Sequence, residues 1–109
     1  MPRAIDDLSD LTLKAIRARH ASLSDAILHT PMMQAPARLF EDVFAGGKLF
    51  LKLECLQHTG TFKARGALSV ARSIPKADLG RGITAASAGN HAIAAAWAAR
   101  HVGAHAKVV

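Results

Sequence analysis

The chain has 109 residues, half of them apolar and a fifth charged, with a formal charge of +6. That length holds one ordinary domain at most, and that composition excludes a disordered chain. A lone cysteine, Cys55, excludes a disulfide scaffold and points to a reducing, cytoplasmic setting, while the absence of a run of about 20 apolar residues and the acidic start MPRAIDDLSD argue against a membrane span or a signal peptide.

Thr12 is an N-cap before Leu13, Ile16 and His20 at helical spacing, which predicts a helix over residues 13–22. Pro31 and Pro36 bracket an extended stretch, since proline and the residue before it resist helix. Residues 39–44 suit a short helix stopped by Gly46 and Gly47. Leu49, Leu51 and Leu53 alternate with Phe50 and Lys52, which is the period of a strand. Residues 55–61, CLQHTGT, read as a loop hinged at Gly60. A helix follows from Thr61 or Phe62 to Ile74 and is ended by Pro75. ITAAS (83–87) reads as a strand, Ala88 and Gly89 as a tight turn, and residues 90–102 as an Ala-rich helix closed by Gly103. HAKVV begins another strand. Strand–turn–helix–strand is the unit of a parallel sheet. Such a sheet needs more strands and helices on both faces, so the chain reads as a piece of a larger protein.

The net charge is unevenly placed. Residues 1–54 hold seven basic and seven acidic groups, whereas residues 55–109 hold seven basic groups and one acid, Asp78. The second half suits either a solvated basic face or a site for an anion.

Two segments carry chemistry. In TGTFKARGA (59–67) a lysine follows a Gly/Thr loop and a phenylalanine at the start of a helix. A cation there gains nothing from the helix dipole, and a neutral amine is the nucleophile that condenses with an aldehyde. By spacing alone, Lys63 reads first as a solvated surface lysine. In ASAGNHA (86–92) a strand ends in small residues and a helix begins. Free backbone N–H groups at a helix start attract anions, and small residues let a ligand approach the backbone. Ser87 adds a hydroxyl and Asn90 an amide that donates and accepts. By itself this is also an ordinary N-cap. The loop matches neither GxxxxGK[ST] nor GxGxxG.

In this order, LFLKLECLQHTGTFKARGA and GITAASAGNHAIAAAWAARHVG resemble the pyridoxal-phosphate enzymes of the tryptophan-synthase-β fold type, fold type II. Within them the chain looks most like the threonine dehydratase and serine racemase branch. The likeness covers residues 29–109, beginning at His29-Thr30-Pro31-Met32, and the first helix suits that family's N-terminal arm. The resemblance implies a three-layer, Rossmann-like parallel-sheet α/β fold, incomplete here. Residues 1–75 would be the N-terminal part of the large cofactor domain, and residues 76–109 the start of the small one. It implies pyridoxal 5′-phosphate as cofactor and a small amino acid as substrate. Water would be eliminated from L-threonine or L-serine, leaving a 2-keto acid and ammonia.

The resemblance also implies roles. Lys63 would bind the cofactor covalently and, once displaced by substrate, remove the α-proton. Phe62 would pack near the cofactor ring, and Asn90 would hydrogen-bond its 3′-hydroxyl. Ser87, Gly89, Asn90 and the backbone at His91 would hold the substrate carboxylate. Serine racemases of this type carry a serine at the position of Ala88, and racemisation needs a proton donor on each face, so Ala88 favours the dehydratase. Relatives are homo-oligomers. Their glycine-rich phosphate loop and the residue facing the pyridine nitrogen correspond to positions beyond residue 109. The chain alone is therefore expected to hold the cofactor weakly and not to turn over.

The remaining features are plainer. Cys55 stands where the family commonly has Asp or Asn and reads as a small packed residue. Ile93-Ala94 replaces the usual Gln-Gly. The histidines show no metal spacing, since Gly103 separates His101 from His105. Trp97 reads as a core residue. Arg65 either faces solvent or pairs with Glu54. Serine racemase, threonine synthase and cysteine synthase are competing activities. A basic nucleic-acid-binding module is the competitor from another class. Its basic residues Arg72, Lys76, Arg81, Arg100 and Lys107 are scattered over several elements, and few aromatics are present for stacking, so neither nucleic acid nor membrane is expected as a partner.

Overall fold

The computed structural model describes residues 11–40, 42–43 and 46–109. Helix α1 spans Leu13–Ala21. Thr12 caps it in extended backbone, its hydroxyl accepting the Ala15 N–H at 3.1 Å. None of its residues is buried, and Leu13 and Ile16 face outward. Nine residues alone make a marginal helix in water, so the cap matters to this one.

Strands β1 (Met32–Gln34) and β2 (Phe50–Lys52) pair antiparallel, with Met33 opposite Leu51. The ladder continues at both ends. The Ala35 N–H donates to the Leu49 carbonyl, and the Leu53 N–H to the Pro31 carbonyl, each at 2.9 Å. The helix expected over residues 39–44 is corrected where it can be described. A single 3-10 turn, Ala37–Leu39, stands there instead and is capped by Phe40. Pro36 starts that turn early, its carbonyl accepting the Leu39 N–H at 3.0 Å. Phe40 then leaves helical geometry at φ −139°, ψ 10°. Glu41, Phe44 and Ala45 lie outside the described residues.

Helix α2 (Lys63–Ser73) begins after Phe62 and stops at Ile74, in extended backbone as a residue before proline prefers. Strand β3 (Ile83–Ala85), helix α3 (Asn90–His101) and strand β4 (Ala106–Val108) form the expected β–α–β unit, with β3 and β4 parallel and Thr84 opposite Lys107. The pairing runs past both ends of the strands: the Ile83 N–H reaches the His105 carbonyl at 2.8 Å, and the Ser87 N–H the Val109 carbonyl at 2.9 Å. Gly82 makes the tight entry into β3 at φ +79°, where a Cβ would lie 3.1 Å from the His105 carbonyl oxygen.

The core is the face between α2 and α3. Ala64, Leu68 and Ala71 are spaced at i, i+4 and i+7, so they share one side of α2 and are buried. Ala94, Ala95, Ala98 and Ala99 form the buried side of α3. Small side chains let the two helices approach closely. Leu23 and Ile27, from the turns after α1, complete the cluster around Leu68. The core is small for the chain. The radius of gyration is 17.0 Å, against about 13 Å for a compact domain of this length. Met32, Met33, Phe50 and Leu51 of the β1–β2 pair are exposed. Among the described residues no helix is long and apolar enough to cross a membrane.

Candidate functional site

The segment between β2 and α2 is held by side chains rather than by a sheet. Two 3-10 turns, Glu54–Leu56 and His58–Gly60, flank Gln57. Gln57 is 4% exposed. Its Oε1 accepts the Leu28 N–H at 2.9 Å, and its Nε2 donates to the Leu28 carbonyl at 2.8 Å. One side chain thus satisfies both backbone groups of Leu28, as a neighbouring strand would. Thr59 and Gly60 then turn the chain through left-handed backbone, at φ +68° and +73°. Glycine adopts this freely, whereas a β-branched threonine is strained there. The Thr59 hydroxyl is buried with no hydrogen-bond partner.

Lys63 follows as the first residue of α2, and its N–H is 3.3 Å from the Thr61 hydroxyl. Its ammonium lies 5.2 Å from the centre of the exposed Phe62 ring. Arg65 turns elsewhere. Its Nε and Nη2 donate to the two oxygens of Glu54 at 2.7 and 2.8 Å. Of the two readings open to Arg65, pairing with Glu54 is the one observed. Glu54 also accepts the hydroxyl of buried Thr30, whose carbonyl accepts the Lys52 ammonium at 2.6 Å. The Arg65 guanidinium holds the Glu54 carboxyl down to about 2, assisted by the Thr30 hydroxyl and opposed by partial burial.

A cavity of about 380 Å³ opens between α2, β3 and α3. Gly66, Ala67 and Val70 line its α2 side, and Thr84 and Ala85 its β3 side. Phe62, Lys63 and His91 border it as well. The structure thus brings three of the anticipated residues to one cavity. The other three, Ser87, Gly89 and Asn90, do not line it. Ser87 and Gly89 sit on the turn between β3 and α3, where the Ser87 hydroxyl accepts the Gly89 N–H at 3.3 Å, and Asn90 is the first residue of α3. No side chain caps the first turn of α3. Its leading amides are therefore open donors at the positive end of the helix dipole. A primary amine, an aromatic ring and an apolar floor suit a flat aromatic aldehyde, and the open amides at the head of α3, where His91 borders the cavity, suit a carboxylate.

Some relationships were not visible beforehand. Sequence reasoning missed Thr30 and Gln57 as anchors, although a glutamine set among leucines in LECLQ was a signal. The ring of His58 stacks on that of Trp97, a pairing that left no signal in the spacing. Cys55 is corrected: it is exposed, not packed. A 3-10 turn has three residues per turn, so with Glu54 drawn inward by Arg65 its neighbour faces away. Among the described residues, no group of three His, Cys, Asp or Glu is placed to hold a metal ion.

Residues 23–109 match the family described as pyridoxal-phosphate dependent enzyme. The chain belongs to that family. Its members' cofactor is the flat aromatic aldehyde that the cavity suits. Phenylserine dehydratase from Ralstonia pickettii is 42% identical over 97 residues, which cover 89% of this chain and 29% of that protein. L-threonine ammonia-lyase from Thermotoga maritima is 37% identical over 99 residues, covering 91% of this chain and 24% of that protein. The solved serine racemase of Dictyostelium discoideum superposes with a TM-score of 0.75 at 33% identity, over 89% of this chain and 31% of that one. The chain thus spans less than a third of the length of these relatives, and its α/β architecture is that of fold-type II enzymes.

Proposed function

We propose that this chain carries the lysine side and the substrate-carboxylate side of a pyridoxal-phosphate ammonia-lyase acting on L-threonine or L-serine. The observation that supports this most is that Lys63 at the head of α2 and His91 at the head of α3 border one cavity. When bound, pyridoxal phosphate supplies an electron sink for the charge left on the α-carbon. The chain's own residues bind, orient and move the proton. Lys63 Nζ takes the α-proton as a general base, and Phe62 packs beside the cofactor ring. The Asn90 amide donates to the ring's 3′-hydroxyl. Ser87, Gly89, Asn90 and the His91 backbone receive the substrate carboxylate at the open start of α3.

Ala88 supports water elimination over racemisation, because it offers no hydroxyl on the face opposite Lys63. In this reading residues 1–75 belong to the large cofactor domain and residues 76–109 begin the small one. The exposed, unpaired thiol of Cys55 suits a cytoplasmic protein, and the complete enzyme is a homo-oligomer. The chain alone holds the cofactor weakly and does not turn over.

The test is a chimera in which this chain replaces the matching segment of a full-length threonine dehydratase. The chimera should form 2-keto acid from L-threonine or L-serine, and Lys63→Ala should abolish it. D-serine as the main product from L-serine would overturn the dehydratase reading.

A further inference from the structure

We propose that Glu54 and Arg65 are positioning residues for Lys63, joined across the lysine loop so that the first turn of α2 stays beside the cavity. This rests on the reading of Lys63 as the cofactor lysine. Phe62 at its N-cap position gives no side-chain hydrogen bond, and the local cap is one long, exposed contact, 3.3 Å from the Lys63 N–H to the Thr61 hydroxyl, so the first turn of α2 is weakly held by its own neighbours. Arg65 lies in that same first turn. It reaches back to both oxygens of Glu54, at the far end of the loop, and its Nη2 comes within 3.4 Å of the Leu28 carbonyl. Gln57 holds that carbonyl too, and Thr30 holds Glu54. Both ends of the loop are thus fastened to residues 28–30. The two ion-pair side chains are mostly shielded, at 25% exposure for Arg65 and 15% for Glu54, so water competes weakly for the fork-to-carboxylate geometry. The other ion pair of α2 provides a contrast. Arg72 holds Asp25, which is 67% exposed, near the opposite end of the helix from Lys63.

The experiment exposes the chain briefly to pyridoxal phosphate, fixes the product with borohydride, and maps the label over all lysines by peptide mass. In the unaltered chain Lys63 should take more label than Lys14, Lys76 or Lys107. Glu54→Gln should cut that preference roughly tenfold, as misplacement of a reacting group does, and speed amide exchange in the first turn of α2. Asp25→Asn should leave both unchanged. Thr30→Val, which removes only one hydroxyl from Glu54, should lower the preference less and serves if Glu54→Gln unfolds. A preference for Lys63 that survives Glu54→Gln and Thr30→Val overturns the positioning role alone. Equal labelling of all lysines in the unaltered chain overturns the reading of Lys63 and the positioning role with it.

Discussion

The imidazole of His58 lies stacked on the indole of Trp97, with ring centres 5.3 Å apart and planes inclined by 22°. His101 approaches the same indole, at 5.5 Å and 38°. His58 belongs to the loop that leads into α2 and Trp97 to α3, so the stack ties that loop to α3. Aromatic pairs of this kind contribute about 0.5–1.5 kcal/mol beyond buried area. His58→Ala should therefore lower unfolding stability by about 1 kcal/mol. It should also shift the emission of Trp97, the chain's single tryptophan. Urea titration followed by that emission checks both, and an unchanged spectrum and midpoint would remove the stack from the fold.

The carboxyl of Glu54 is held from its ordinary value of 4.5 down to about 2, first by Arg65. A lowered carboxyl stabilises the folded state above its unfolded value, and that stability is lost as pH falls from about 4.5 toward 2. The unaltered chain should lose stability across that window, and Glu54→Gln should flatten the loss. Asp25 is also lowered, by Arg72, but its exposure leaves the pair screened by water. Asp25→Asn should keep most of the acid limb. Thermal melts at stepped pH read the difference.

Thr59 holds left-handed backbone at φ +68° while its hydroxyl is buried without a partner. Such a residue costs on the order of 1–3 kcal/mol in strain. Thr59→Gly relieves it, offset in part by glycine's greater freedom in the unfolded chain. A net gain of about 1 kcal/mol in urea unfolding is expected. A loss of stability would show that the threonine methyl packing outweighs the strain.

Gly82 presents the opposite case. Its φ is +79°, and a Cβ there would meet the His105 carbonyl at 3.1 Å, beside the first hydrogen bond between Ile83 and His105. Gly82→Ala should destabilise the chain by about 1–3 kcal/mol and loosen β3 from β4. Amide exchange at Ile83 reports the second effect.

Much of this is legible in the sequence because it is local. Thr12, Pro31, Pro75 and Gly103 act on their own neighbours and mark the ends of elements. The β3–α3–β4 order follows from a change of period at the small residues 86–89. Lys63 and the Ser87–Asn90 turn are recognisable as a pair in fixed order. What escapes is pairing at a distance. Gln57 meets Leu28 and Thr30 meets Glu54 through folds of the chain that no period encodes. The exposure of Cys55 follows from Arg65 drawing Glu54 inward, eleven residues away in sequence. The turn at Ala37–Leu39 depends on where Pro36 begins it, and apolar spacing over residues 39–44 does not carry that information.

The most direct measurement is an absorbance titration of pyridoxal phosphate into the chain and into Lys63→Ala. The expected result is a weak band at the edge of the visible that is clearly stronger in the unaltered chain than in Lys63→Ala, whose remaining lysines give only a residual one. A band of equal strength in both proteins would contradict the assignment of Lys63.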